Sequence, residues 1–125
     1  MFGLILIIDD ELDMQIYLRT LFRKAGYETE VAANGEAGVE AAVALRPALI
    51  TLDLLMPRQS GLLAYSALRT RAETREIPVI ILTGLSDHQG LLASLADGVP
   101  GPAAVVEKPI QREAFLGIVK EAMGG

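Results

Sequence analysis

The chain has 125 residues, 16 of them acidic and 11 basic, with a net charge of −5 and no cysteine. That length suits a single domain, taken as residues 1–125, with a real hydrophobic core. The absence of cysteine excludes disulfides, thiolate metal sites and cysteine nucleophiles. An acidic chain without a basic face is not expected to bind nucleic acid directly. Met1-Phe2-Gly3 has no basic leader, and no apolar run nears the ~20 residues of a spanning helix. A cytoplasmic protein without membrane contact is expected.

Strand-like and helix-like runs alternate five times. Leu4-Ile5-Leu6-Ile7-Ile8 is an apolar strand that stops at Asp9. Met14, Leu18, Leu21, Phe22 and Ala25 recur on one face of a helix expected over 11–25. Gly26 ends it as a left-handed C′ residue. A strand follows at 28–32, and Asn34-Gly35 makes a turn in which Asn34 can cap a helix over 36–45. Arg46-Pro47 stops that helix. Leu49-Ile50-Thr51-Leu52 is the third strand, ending at Asp53. Met56-Pro57 and Gly61 shape a loop before a helix over 62–71.

Ile77-Pro78 opens the fourth strand, Val79-Ile80-Ile81-Leu82, which ends at Thr83. Ser86-Asp87-His88-Gln89 has the form of a capping box, so a helix is expected from there to about Asp97. Gly98 to Pro102 is a loop. Ala103-Ala104-Val105-Val106 is the fifth strand, followed by Lys108-Pro109. Phe115, Leu116, Val119 and Met123 give the last helix its buried face. Tyr17, Tyr27 and Tyr65 read as packing residues with hydroxyls in water. Arg69, Arg71 and Arg75, with Glu73 and Glu76, read as a solvated helix end, and His88 as a solvated helix residue.

Continuous apolar strands belong to a parallel sheet covered on both faces. Five right-handed βα units predict a flavodoxin-like (βα)5 doubly wound sandwich, strand order 2-1-3-4-5. Ligands bind at the carboxyl ends of such strands, at the switch point between strands 1 and 3. Asp9, Asp10, Asp53, Thr83 and Lys108 all stand at or just past strand ends. Two like charges ~4 Å apart at an effective dielectric of ~20 repel by about 4 kcal/mol. Three converging carboxylates therefore call for a cation or for raised pKa values. Mg²⁺ suits an all-oxygen site. Three carboxylates, a divalent cation and the Lys108 ammonium sum to neutrality, so the site can accept a phosphoryl donor. Thr83 and Lys108 can then hydrogen-bond the phosphoryl oxygens.

Asp9-Asp10-Glu11, Asp53-Leu54-Leu55-Met56-Pro57 with Gly61, Thr83-Gly84 and Lys108-Pro109 together resemble the receiver domain of two-component response regulators. The resemblance spans nearly the whole chain, in order and with each motif ending a strand. It implies that Asp53 is the phosphoacceptor, a carboxylate nucleophile forming an aspartyl phosphate. It further implies Mg²⁺ bound by Asp10, Asp53 and the Leu55 carbonyl, with Asp9 acting mostly through water. Lys108 would contact the phosphoryl group, and Thr83 would move toward it. A sensor histidine kinase or phosphotransfer protein would be the donor, and a downstream protein or effector domain the recipient of the signal. A phosphorylation-dependent homodimer is one outcome of such switching. The Lys108-Pro109 bond is commonly cis in the family.

The chain also departs from that pattern. Val105 stands where many receivers carry an aromatic residue, and Pro100-Gly101-Pro102 lengthens the segment before Lys108, so a non-standard output is expected. Leu55 and Leu85 are apolar where the family lines the path of attacking water, which predicts slow self-dephosphorylation. The domain is not expected to be an enzyme beyond its own phosphorylation and dephosphorylation. Three other readings compete. A haloacid dehalogenase-like phosphatase wants a second acid at position 55, where leucine stands. A flavin mononucleotide carrier would meet repulsion from Asp9-Asp10-Glu11. A phosphorylation-independent interaction module would leave the five-residue set without a purpose.

Overall fold

The computed structural model describes residues 3–84 and 99–124. Strand and helix alternate: β1 (Leu4–Ile8), α1 (Leu12–Lys24), β2 (Glu28–Ala32), α2 (Gly35–Leu45), β3 (Leu49–Asp53), a 3-10 turn (Pro57–Gln59), α3 (Ser60–Thr70), β4 (Val79–Thr83), β5 (Ala104–Glu107) and α4 (Arg112–Ala122). All four strand pairings are parallel, in the order β2-β1-β3-β4-β5. This is the doubly wound, flavodoxin-like sheet. The helix expected over 86–97, with Leu85 and His88, lies outside the described residues.

Period-two alternation divides the core between the two faces of the sheet. Ile5 and Ile7 of β1 join Leu18, Phe22, Phe115 and Val119. Leu6 and Ile8 join Val39, Ala42, Ala64, Tyr65 and Leu68. Phe22 and Phe115, with ring centroids 5.7 Å apart, couple α1 to α4. Burying an aliphatic side chain contributes about 2 kcal/mol. The buried residues Ile5 to Ile8 can therefore hold at their end a carboxylate that favours water.

Local chemistry sets where each element stops. Gly26 is left-handed at φ +99. Its N–H donates to the Arg23 carbonyl and that of Tyr27 to the Phe22 carbonyl, both at 3.0 Å. This pair of hydrogen bonds is the Schellman closure, and Tyr27 completes it with an edge-on contact to Phe22. Asn34 caps α2 by accepting the Ala37 N–H at 2.8 Å. Arg46 leaves the helix at φ 50 rather than in the extended form usual before proline.

Three readings of the sequence need correction. Gly61 lies inside α3, which begins at Ser60, because the helix packs its first turn onto the end of β3. A Cβ there would sit 2.5 Å from the Asp53 and Leu54 carbonyl oxygens. Tyr65 is fully buried, and its hydroxyl donates to the Pro100 carbonyl instead of to water. Burial pushes that hydroxyl above the usual tyrosine range, which keeps it a donor. Arg69 is half-buried rather than solvated. Its guanidinium lies 5.7 Å from the Tyr65 ring centroid and donates to the Arg75 and Ile77 carbonyls.

Candidate functional site

The parallel register delivers the functional residues to one rim. Ile8 pairs with Leu52, and Asp53 pairs with Leu82, so the chain leaves β1, β3 and β4 at the same level. Asp9 follows β1, Asp53 closes β3, Thr83 closes β4 and Lys108 follows β5. The Lys108 N–H donates to the Thr83 carbonyl at 2.8 Å, which ties the last two positions together. The Lys108-Pro109 bond is cis, as the resemblance implied.

Carboxylate oxygens of Asp9, Asp10 and Asp53 lie within 4.8 Å of one another. Asp9 and Asp53 are buried, and Asp10 is exposed. One Asp53 oxygen accepts the Leu55 N–H at 3.0 Å. The other faces the Lys108 ammonium at 3.6 Å. Burial pushes the Asp53 carboxyl up to about 6, against the pull of Lys108 and of the Leu55 N–H; Asp9 and Asp10 add repulsion. Burial also raises the Asp9 carboxyl. Asp9 Oδ1 accepts the Glu11 N–H at 2.9 Å, while Oδ2 is buried with no hydrogen-bond partner.

The acidic pair does not cap α1 in the ordinary way. Glu11 is the N-cap residue and makes no side-chain cap. Asp9 instead bonds the N–H of that residue, closing a turn before the helix begins. Its carboxylate is shaped by the turn and leaves an oxygen over. A buried, unpartnered oxygen beside two further carboxylates fits a hard cation, which prefers oxygen ligands. The donor set is all oxygen.

An open cavity of about 550 Å³ covers the cluster, with Asp10, Glu11, Asp53, Leu55, Gly84 and Lys108 in its wall. A larger one, about 780 Å³, lies between α2 and α3 and shares only Asp10 with the cluster. Size does not locate the chemistry here, because the larger cavity reaches neither Asp53 nor Lys108. Thr83 is fully buried at the end of β4. Leu55 is about half exposed at the cavity mouth. All five residues singled out by their strand ends therefore gather at this rim. Sequence reasoning missed Gln15, whose side chain donates to the Asp9 carbonyl at 2.7 Å. Its only sequence signal is its place late in the first turn of α1.

Val105 is half-buried and, like Val99, packs against the core on the α2–α3 side of the sheet. The Pro100-Gly101-Pro102 segment reaches α3 through the Tyr65 hydroxyl. Among the described residues no helix is long and apolar enough to cross a membrane.

Residues 5–120 match the family described as response regulator receiver domain. The protein Rrf1 of Nitratidesulfovibrio vulgaris is 34% identical, over 95% of this chain and 81% of Rrf1. The DNA-binding dual master transcriptional regulator RpaA of Synechocystis is also 34% identical, over 93% of this chain but 47% of RpaA. The receiver domain of the Pseudomonas aeruginosa sensor histidine kinase PA1611, solved with a magnesium ion in its active-site cleft, superposes with a TM-score of 0.86. It is 24% identical and each chain is covered to 98%. The rim of carboxylates on a 2-1-3-4-5 sheet and the match over most of the sequence agree: the chain belongs to the receiver-domain family of two-component response regulators.

Proposed function

We propose that this domain is a phosphoacceptor switch in which Asp53 takes a phosphoryl group from a phosphohistidine, with Mg²⁺ held at the acidic cluster. One observation carries the reading. Three carboxylates converge within 4.8 Å, and one of them faces an ammonium at 3.6 Å. An Asp53 oxygen attacks phosphorus, the P–N bond breaks, and the imidazole leaves with the bonding pair. Lys108 already addresses the attacking carboxylate, so it can follow the charge onto the phosphoryl oxygens. Thr83 offers a hydroxyl from the adjoining strand end. Asp10, Asp53 and the Leu55 carbonyl would hold the ion, with Asp9 acting through water. When bound, Mg²⁺ neutralises the carboxylate and phosphoryl charge that would otherwise oppose transfer.

The magnesium seen in PA1611 and the all-oxygen donor set here support that choice of ion. The domain catalyses only its own phosphorylation and dephosphorylation. Receiver domains work between histidine kinases and downstream effectors, and a sensor histidine kinase or phosphotransfer protein is the donor we assign. A cytoplasmic location follows from that partner. A phosphorylation-dependent homodimer is one form the output can take.

The test mixes the protein with Mg²⁺ and acetyl phosphate and follows intact mass. A single phosphoryl adduct is expected, lost with chelator and lost in Asp53→Ala. Failure to form an adduct with acetyl phosphate or a phosphohistidine donor would overturn the reading in favour of a phosphorylation-independent module.

A further inference from the structure

We propose that Gln15 is a positioning residue for the divalent cation: it holds the peptide unit that aims the Asp10 carboxylate. The proposal rests on the assignment of the acidic cluster as a metal site. Asp10 is exposed, and no hydrogen bond to its carboxylate is found among the described residues. Its placement therefore depends on its backbone. The peptide unit entering Asp10 carries the Asp9 carbonyl, and the Gln15 side-chain amide donates to that oxygen at 2.7 Å. The same residue's main-chain N–H donates to the Glu11 carbonyl at 3.0 Å. Gln15 thus grips both ends of the turn between β1 and α1.

The Asp9 N–H and Oδ1 are fixed by other partners. The N–H donates to the Ala32 carbonyl at 3.1 Å, and Oδ1 accepts from Glu11. Only the carbonyl depends on Gln15. The Glu11 side chain makes no cap of its own, so at Glu11 the turn is held by the Asp9 carboxylate on the N–H and by the Gln15 main chain on the carbonyl. A neutral amide suits the position. It supplies a donor while adding neither a cation that would compete with the metal nor an anion that would add to three carboxylates. Groups that orient ligands without touching the ion commonly shift metal affinity by about tenfold or more.

The test uses the full chain with Gln15→Met, which keeps length and removes the donor, and Gln15→Ala, which favours the helix. Mg²⁺ binding is titrated by calorimetry, and the melting temperature is measured without metal. The expected result is about tenfold weaker Mg²⁺ binding in both variants. Phosphorylation by acetyl phosphate should fall by a similar factor at limiting Mg²⁺ and return to within about twofold of wild type at saturating Mg²⁺. A purely structural bond would lower the melting temperature and leave the Mg²⁺ dissociation constant within twofold of wild type, which would overturn the proposal. If the wild type binds Mg²⁺ yet Asp53 is never phosphorylated, the switch reading fails while the affinity comparison still decides the role of Gln15. If the wild type binds no Mg²⁺, both fall.

Discussion

Two regions of this molecule treat their buried polar groups differently. At the rim of β1 and β3, carboxylates are gathered against mutual repulsion, and one Asp9 oxygen is left without a partner. On the flank between α3 and the approach to β5, the Tyr65 hydroxyl meets the Pro100 carbonyl, and the Arg69 guanidinium meets two more carbonyls. The rim gives up folding stability to keep a charge pattern. The flank spends its polar groups on joining chain segments. A group that stores unfavourable charge is built for something that arrives later; side chains that tie carbonyls of separate segments together are built to stay, even with the Arg69 Nε left unbonded.

The comparison breaks if the rim tolerates displacement, and Gly61 tests that most severely. A methyl group at Gly61 would press on the Asp53 and Leu54 carbonyls at 2.5 Å, and both are backbone. Gly61→Ala should cost about 1–3 kcal/mol in folding. It should also slow phosphorylation of Asp53 by about a hundredfold, because displacing a reacting group by an ångström has effects of that order. Rate and stability are read on the same sample by intact mass and urea titration. Normal phosphorylation at reduced stability would mean that the rim is not held through α3.

The second test addresses the stored charge directly. The Asp53 carboxyl moves from 3.8 to about 6 in the fold, chiefly through burial. The folded protein therefore holds this proton more tightly than the unfolded chain. For this group, stability without metal is greatest below about pH 4 and is lost as pH rises through about 6. Asp53→Asn should stabilise the metal-free protein at pH 7.5 by about 2 kcal/mol. A one-unit shift is worth about 1.4 kcal/mol, and the buried amide retains part of the desolvation cost. The gain should shrink toward pH 4 and shrink again in saturating Mg²⁺. A gain that stayed constant with pH would show that burial of charge is not its source.

On the flank the sign reverses. Tyr65→Phe leaves the Pro100 carbonyl without its donor and should destabilise by about 1 kcal/mol at every pH below the tyrosine range. Mg²⁺ affinity should be unchanged, since no described contact joins Tyr65 to the carboxylates. Urea titrations with and without Mg²⁺ would read both quantities. A change in Mg²⁺ affinity would join the two regions and end the comparison as drawn.

These regions also differed in how plainly the sequence announced them. Asp9, Asp53, Thr83 and Lys108 were legible because a polar residue closing an apolar run marks a strand end, and a parallel sheet brings strand ends together. Asn34 and Gly26 were legible because capping is local. Tyr65 and Arg69 were misread because their partners are main-chain carbonyls in other segments, one of them 35 residues away. A carbonyl leaves no trace in residue identity. Gln15 escaped notice for the same reason. Gly61 reads in the sequence as a loop former, since its true reason, the approach of α3 to the β3 carbonyls, exists only once the helix is packed.

The smallest effect sharpens what the rim gives up. Arg58, in the turn between β3 and α3, holds φ 59 and ψ 28. An L-residue in that left-handed region is disfavoured by about 1 kcal/mol, and asparagine tolerates it best among residues that keep a side chain. Arg58→Asn should therefore stabilise the fold by about 0.5 kcal/mol. Glycine would relieve the same strain but return part of the gain through the unfolded chain. Arg58 lines the larger cavity, where Asp10 is the one residue shared with the carboxylate cluster. If Arg58 matters only as strained backbone, the Asn variant should gain stability with unchanged Mg²⁺ affinity. If its charge reaches Asp10, removing it should tighten Mg²⁺ binding, and more so at low salt. The strain at this rim would then be one more expense of its charge pattern and not a separate accident of the turn.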